Sequence, residues 1–350
     1  FTKREKKNLT DNLTSVKFFC ILYKIVLDLF TADKNTKSNT ISNRIAAIFS
    51  GRTLYMETIR REDALMLAHF YAPAEVQKLA DFVGDSYALA KRAKESEKQI
   101  IVFCGVSFMG ESVKILCPEK SVYLPVPAAR CAMAEMVDES EIAKVRRNVP
   151  DLAVVTYINS TARVKALSDV VVTSSNAEKI IAALPHKNIY FIPDRNLGHY
   201  VASRDRSGKN FYFGNGYCPV HDRTTKEEAL AKKAEYPNAL FVTHPECPQE
   251  VCALADYVGS TAGIIDFAEN SDCSEFIVGT EEGVLYELFR RCPNKKFYPS
   301  RAGFVCEDMK KITKESVDNV FAGCVPPVEV EEQTRAKAAE ALNAMLKLAK

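Results

Sequence analysis

The sequence predicts an α/β fold of three pseudo-symmetric, three-layer αβα domains with short parallel sheets. Three observations predict it. Short apolar runs recur with a period near 88 residues, and each is followed at fixed offsets by the same residue types. Strand-like runs of four or five residues alternate with amphipathic segments. A period of that size exceeds the ~20–50 residues of a solenoid unit and fits a small domain used three times. Of the 350 residues 47% are hydrophobic and 26% charged, enough apolar material for a sizeable core. The formal net charge of +2 leaves no basic field for nucleic acid.

Residues 1–55 come first and stand apart. They carry ten Lys or Arg against Glu5, Asp11, Asp28 and Asp33, a net +6 that leaves −4 for the remainder. Their apolar stretch, 18–30, is broken by Lys24 and Asp28 and falls short of the ~20 apolar residues a membrane span needs. The segment reads as an accessory or poorly ordered basic arm, with Met56 a candidate native start and a transit peptide the alternative.

The first repeat covers 56–149. Its opening run ends in Leu67-Ala68-His69, Ile100–Phe103 and Val122–Leu124 read as strands, and Met109–Leu116 has a helical pattern. The second repeat, 150–237, opens on a run ending in Val155-Thr156-Tyr157 and has a strand at Ile189–Ile192. The third, 238–326, opens on Val242-Thr243-His244 and has a strand at Phe276–Val278. Residues 327–350 read as a C-terminal helix. Twelve positions past His69, Tyr157 and His244 stand Asp81, Asp169 and Asp256; seventeen past them stand Ser86, Ser174 and Thr261. In parallel α/β sheets ligands gather at the carboxyl ends of strands, so these anchors mark the expected site.

The 11 cysteines form no C-x-x-C pair, and their odd number without a secretory signal argues against a disulfide framework. Three share the frame of the repeat: Cys131, Cys218 and Cys306 lie 62, 61 and 62 residues past their anchors. Three domains around an approximate threefold axis would bring these thiols together at the centre. Three soft ligands suit an iron–sulfur cluster with one open iron, or a zinc ion completed by water; three inert buried thiols are the bland alternative. Off the frame, Cys247 reads as a packed thiol, and Cys252 gives no second metal site. His186 and His199 fall on no anchor and read as structural. Gly214-Asn215-Gly216 and the Gly105–Gly110 gap lack the context of a nucleotide-binding loop.

Several motifs carry a resemblance. Asp81–Ser86 (DFVGDS), Pro193–Gly198 (PDRNLG), Asn215–His221 (NGYCPVH), His244–Cys247 (HPEC), Val258–Gly263 (VGSTAG) and the G-T-E-x-G of Gly279–Gly283 occur in order. With the Cys306 segment, they make residues 56–325 similar to quinolinate synthase, the NadA family. The resemblance implies a 4Fe–4S cluster held by Cys131, Cys218 and Cys306, with one iron open. It implies condensation of iminosuccinate with dihydroxyacetone phosphate to quinolinate, with release of phosphate and water, in NAD biosynthesis. His69, Ser86, Tyr157, Asn159, Ser174, His244, Glu246 and Thr261 match its substrate-binding positions.

The residue types suit that chemistry. Ser86, Ser174, Thr261 and the two histidines would supply neutral and cationic donors to a dicarboxylate and a phosphate. Glu246 is the candidate general acid/base, with Tyr157 assisting and Asn159 orienting the substrate; Tyr71 and His221 stand behind them. Ala132 after Cys131, and Phe70 and Ala72 in the first motif, depart from the common pattern. An iron–sulfur dehydratase and an iron–sulfur sensor are the alternatives. Iminosuccinate would arrive by transient contact with L-aspartate oxidase or aspartate dehydrogenase. Neither a nucleic-acid nor a membrane partner is expected, and the expected location is the cytoplasm, an organellar address through the arm staying open.

Overall fold

Three four-stranded sheets, parallel throughout and identical in strand order, are set along the chain in a computed structural model that describes residues 58–349. The basic arm and Met56 lie outside the described residues. In the first sheet β1 (Ala64–His69) lies between β2 (Phe82–Gly84) and β3 (Ile100–Cys104), with β4 (Ser121–Tyr123) at the edge. The second repeats this with β5 (Leu152–Tyr157), β6 (Val170–Val172), β7 (Asn188–Ile192) and β8 (Asn210–Phe213). The third does so with β9 (Leu240–Thr243), β10 (Tyr257–Val258), β11 (Glu275–Gly279) and β12 (Lys296–Pro299). Each order is second–first–third–fourth, the arrangement expected of three pseudo-symmetric αβα domains.

The central strands are apolar without alternation because helices cover both faces. β1 and β5 are buried at every position. The two faces of the third sheet show the period of two: Phe241 and Ile277 pack with Val251 and Phe304, whereas Val242, Phe276 and Val278 pack with Ile264, Ile265 and Leu288. Phe70 joins this second cluster although it follows β1, so the first repeat plugs the core of the third. That gives the apolar side chain of Phe70 a packing role.

The aspartates at offset 12 prove to be structural. Asp81, Asp169 and Asp256 each accept a hydrogen bond at 2.7 Å from the backbone of the preceding strand, at Met66, Val154 and Phe241. Each also pairs with a cation, Arg61, Arg146 or Lys233, at 2.8, 2.9 and 3.3 Å. The carboxylate thereby fixes where the second strand begins relative to the first.

The C-terminal helix spans Glu332–Leu348 and buries Ala338, Ala341, Leu342 and Met345 against the helices Ser107–Leu116 and Ala162–Ala166. It clamps the first two repeats together. His199 stacks on Phe213 at 4.0 Å between ring centroids, a packing role. Among the described residues no helix is long and apolar enough to cross a membrane.

Candidate active site

The first strands of the three sheets end at one cavity of about 240 Å³. His69 and Tyr157 are the last residues of β1 and β5, not the first beyond them, and His244 follows β9 directly. All thirteen residues singled out from the sequence line this cavity. They are His69, Tyr71, Ser86, Cys131, Tyr157, Asn159, Ser174, Cys218, His221, His244, Glu246, Thr261 and Cys306. None of the seven other described cysteines, nor His186 or His199, is among its lining residues.

Glu246 is the electrostatic centre. Its carboxylate is almost fully buried, with Oε1 accepting from Tyr157 Oη at 2.7 Å and Oε2 lying 2.9 Å from His221 Nδ1. Burial alone would push its pKa up. The attraction of any positive charge on His244 or His221, and the hydrogen bonds from His221 and Tyr157, oppose this and leave it lowered, which favours the ionised carboxylate.

Burial favours the neutral form of the two histidines at strand ends, although cationic donors are also expected of them from the sequence. Burial lowers His69 to about 3 and His244 to about 4, despite the nearby Glu246. Their backbone contacts fix the tautomer. His69 Nδ1 accepts from the Tyr71 N–H at 3.1 Å and His244 Nδ1 from the Glu246 N–H at 3.3 Å. Each Nε2 therefore carries the proton as a neutral donor, and His244 Nε2 already faces Ser174 Oγ at 3.2 Å. Positive charge comes instead from Arg130 and Arg223 on the cavity wall.

Tyr71 and Tyr157 hold their phenolic protons, burial and the Glu246 charge raising both far above the usual tyrosine range. Tyr71 Oη lies 2.9 Å from both Thr261 Oγ1 and Thr280 Oγ1, and Thr280 Oγ1 lies 2.9 Å from His221 Nε2. Thr280 was not anticipated. It sits one residue past β11, off the offsets that marked the other hydroxyls, and its contacts with Tyr71 and His221 reveal it.

The three framed thiols are not close enough together to share one ion as they stand. Cys131, Cys218 and Cys306 face the same cavity. Yet among the described residues the one group of potential ligand atoms within 4.8 Å of one another is Cys218, His221 and Glu246. Thiolates sharing a zinc ion, each about 2.3 Å from it, would lie closer together than that. Burial pushes the Cys131 thiol up to about 12 and raises Cys218 and Cys306 as well. Soft ligands so reluctant to ionise alone give up their protons to a metal.

Comparisons with known proteins agree with this geometry. Residues 55–347 match the family described as NadA, quinolinate synthetase A protein. The quinolinate synthase of Clostridioides difficile (strain 630) is 49% identical over 293 residues, covering 84% of this chain and 96% of that protein. That of Caldicellulosiruptor saccharolyticus is 46% identical over 292 residues, 83% of this chain and 96% of its own length. Quinolinate synthase 2 of Methanosarcina acetivorans is 46% identical over 284 residues, 81% and 91% of the two chains. The protein therefore belongs to the quinolinate synthetase A (NadA) family.

Proposed function

We propose that the protein is a quinolinate synthase that condenses iminosuccinate with dihydroxyacetone phosphate, releasing phosphate and water. The observation that carries this reading is the convergence of three framed thiols with the buried Glu246–Tyr157–His221 set in one cavity. The reaction balances without an oxidant, so a site built for proton transfer and charge stabilisation suffices. Cys131, Cys218 and Cys306 would hold a 4Fe–4S cluster with one open iron. When bound, it supplies Lewis-acid polarisation of a substrate carboxylate or departing hydroxyl.

The chain's own residues do the rest. Glu246, ionised and held from both sides, takes a proton at its carboxylate from the substrate carbon or amine and returns it to a leaving hydroxyl. Tyr157 keeps that carboxylate aimed by its 2.7 Å bond and can relay the proton from its own hydroxyl. His221 holds the other carboxylate oxygen. The hydroxyls of Ser86, Ser174 and Thr261 and the Nε2–H groups of His69 and His244 bind anionic oxygens as neutral donors. Asn159 orients the dicarboxylate, and Arg130 and Arg223 answer the phosphate charge. Tyr71, tied to Thr261 and Thr280, closes the wall beside them.

A second reading is a single divalent ion on Cys218, His221 and Glu246, favoured by their mutual closeness within 4.8 Å. It would consume the hydrogen bond that holds Glu246. Anaerobic reconstitution separates the readings. Brown protein with iron and sulfide that forms quinolinate from both substrates supports the synthase. Cluster without phosphate release points to a dehydratase, cluster without turnover to a sensor, and colourless zinc-loaded protein to the single-ion site.

A further inference from the structure

Three positions stand in register two residues beyond the third strand of each repeat: Val106 after β3, Asp194 after β7 and Glu281 after β11. All three are buried, at 3%, 0% and 0% exposure, yet they do different things. Val106 offers no polar group. Asp194 Oδ1 accepts from the Leu197 N–H at 2.8 Å, and its Oδ2 has no hydrogen-bond partner. Asp194 faces the backbone N–H of Cys218, which favours its charged form against burial, and Glu281 likewise reaches the Cys306 loop. Its Oε1 accepts from the backbone N–H of Cys306 at 3.1 Å, and its Oε2 from that of Gly283 at 2.7 Å.

The charge of Glu281 is answered on the spot. Lys310 Nζ lies 2.7 Å from Oε1 and donates at 3.0 Å to the carbonyl of Tyr71. Glu281 is fully buried and Lys310 partly so, and each makes further hydrogen bonds that fix the pair's geometry. Lys310 also closes the helix that starts at Cys306, its N–H bonding to the Cys306 carbonyl at 3.2 Å. The cysteine is thus gripped at its N–H by Glu281 and at its carbonyl by Lys310.

The grip extends further. Asp308, in the same short helix, accepts from the backbone N–H of Arg130 at 3.1 Å, and Arg130 precedes Cys131. The Cys131 loop, which has Val106 where the third repeat has Glu281, is therefore tied to the Cys306 segment.

We infer that Glu281, paired with Lys310, is the positioning residue for Cys306, and that the Cys306 segment through Asp308 in turn positions Cys131. Cys306, through Glu281, and Cys131, through Asp308, are then set from the third repeat, whereas the Cys218 backbone faces Asp194 of its own repeat. The inference rests on the cluster reading for its purpose but not for its test.

The test compares wild type with Glu281→Gln, Lys310→Met and Asp308→Ala in the full chain. Metal-free protein is alkylated with iodoacetamide, and modification at each cysteine is followed by mass spectrometry, with the buried Cys104 as the folding control. Glu281→Gln and Lys310→Met should speed modification of Cys306, and less so Cys131, by roughly tenfold, the scale of a lost charge-assisted bond. Asp308→Ala should speed Cys131 more than Cys306. In reconstituted protein the Glu281 variant should lose iron to a chelator roughly 10–100-fold faster. Unchanged Cys306 modification in both grip variants overturns the inference. So does a parallel rise at Cys104 and Cys218, which marks general loosening. Wild type that takes up no iron and sulfide would refute the cluster reading, while the order of alkylation would still decide the role of Glu281.

Discussion

Tyr157 Oη donates a hydrogen bond of 2.7 Å to Glu246 Oε1, joining the end of β5 in the second repeat to the loop after β9 in the third. Two residues 89 positions apart become one hydrogen-bonded pair because the second and third repeats meet at this cavity. A phenol that keeps its proton and a carboxylate that stays ionised are opposite protonation states held side by side.

Glu246→Gln should therefore lower kcat by at least ~10²-fold, the contribution of a placed general acid or base. Tyr157→Phe should cost about 10–100-fold, the worth of a hydrogen bond to a charged group. Iron and sulfide content should match wild type in both, which chemical analysis beside anaerobic turnover will check.

Acid should weaken the metal-free fold through its neutral histidines. His69 and His244 are held near 3 and 4 when folded, against an ordinary value of 6.5, so the unfolded chain binds protons first. Their contribution to stability is intact above about pH 6.5 and is lost as pH falls toward 4, at up to about 1.4 kcal/mol per pH unit for each histidine. Urea unfolding at pH 7.5 and pH 5 should show the drop, and His69→Asn should make it shallower.

Gly283 stands where two repeats touch. A methyl group there would meet the Phe70 carbonyl and Tyr71 Cα at 2.8 Å, both backbone atoms that cannot swing aside. Gly283→Ala should cost about 1–3 kcal/mol of stability and displace the Tyr71 loop. Denaturant midpoints measure the first effect, and a raised KM reports the second.

Removing a register aspartate should be milder and should spare the chemistry. Asp256→Ala loses the 2.7 Å bond to the Phe241 N–H, but its side chain is 38% exposed and water answers part of the loss. About 1 kcal/mol of destabilisation is expected, with kcat unchanged, readable by thermal melting beside activity.

Much of the fold was legible because the period forces repetition. Ile100–Phe103 and Phe276–Val278 each fall inside a strand only one or two residues longer, and the helix read from Met109 starts at Ser107. The anchors, hydroxyls and thiols of the site were legible for the same reason, since residues sharing a frame are carried to one cavity. Tyr71, Asn159, His221 and Glu246 were legible only through the family resemblance. What breaks the frame was hidden. Thr280 and Lys310 act through contacts made between repeats. The charge state of His69 depends on burial that spacing does not report. Arg130 and Arg223 lie on the cysteine loops, at positions outside the offsets that marked the anchors, hydroxyls and thiols.

The central claim is that this cavity makes quinolinate from two substrates. Its most direct test is a stoichiometric assay of anaerobically reconstituted protein given iminosuccinate and dihydroxyacetone phosphate. The account predicts quinolinate and inorganic phosphate in equal amounts, abolished in Cys218→Ser. Iron- and sulfide-loaded protein that yields neither product, or phosphate without quinolinate, would contradict it.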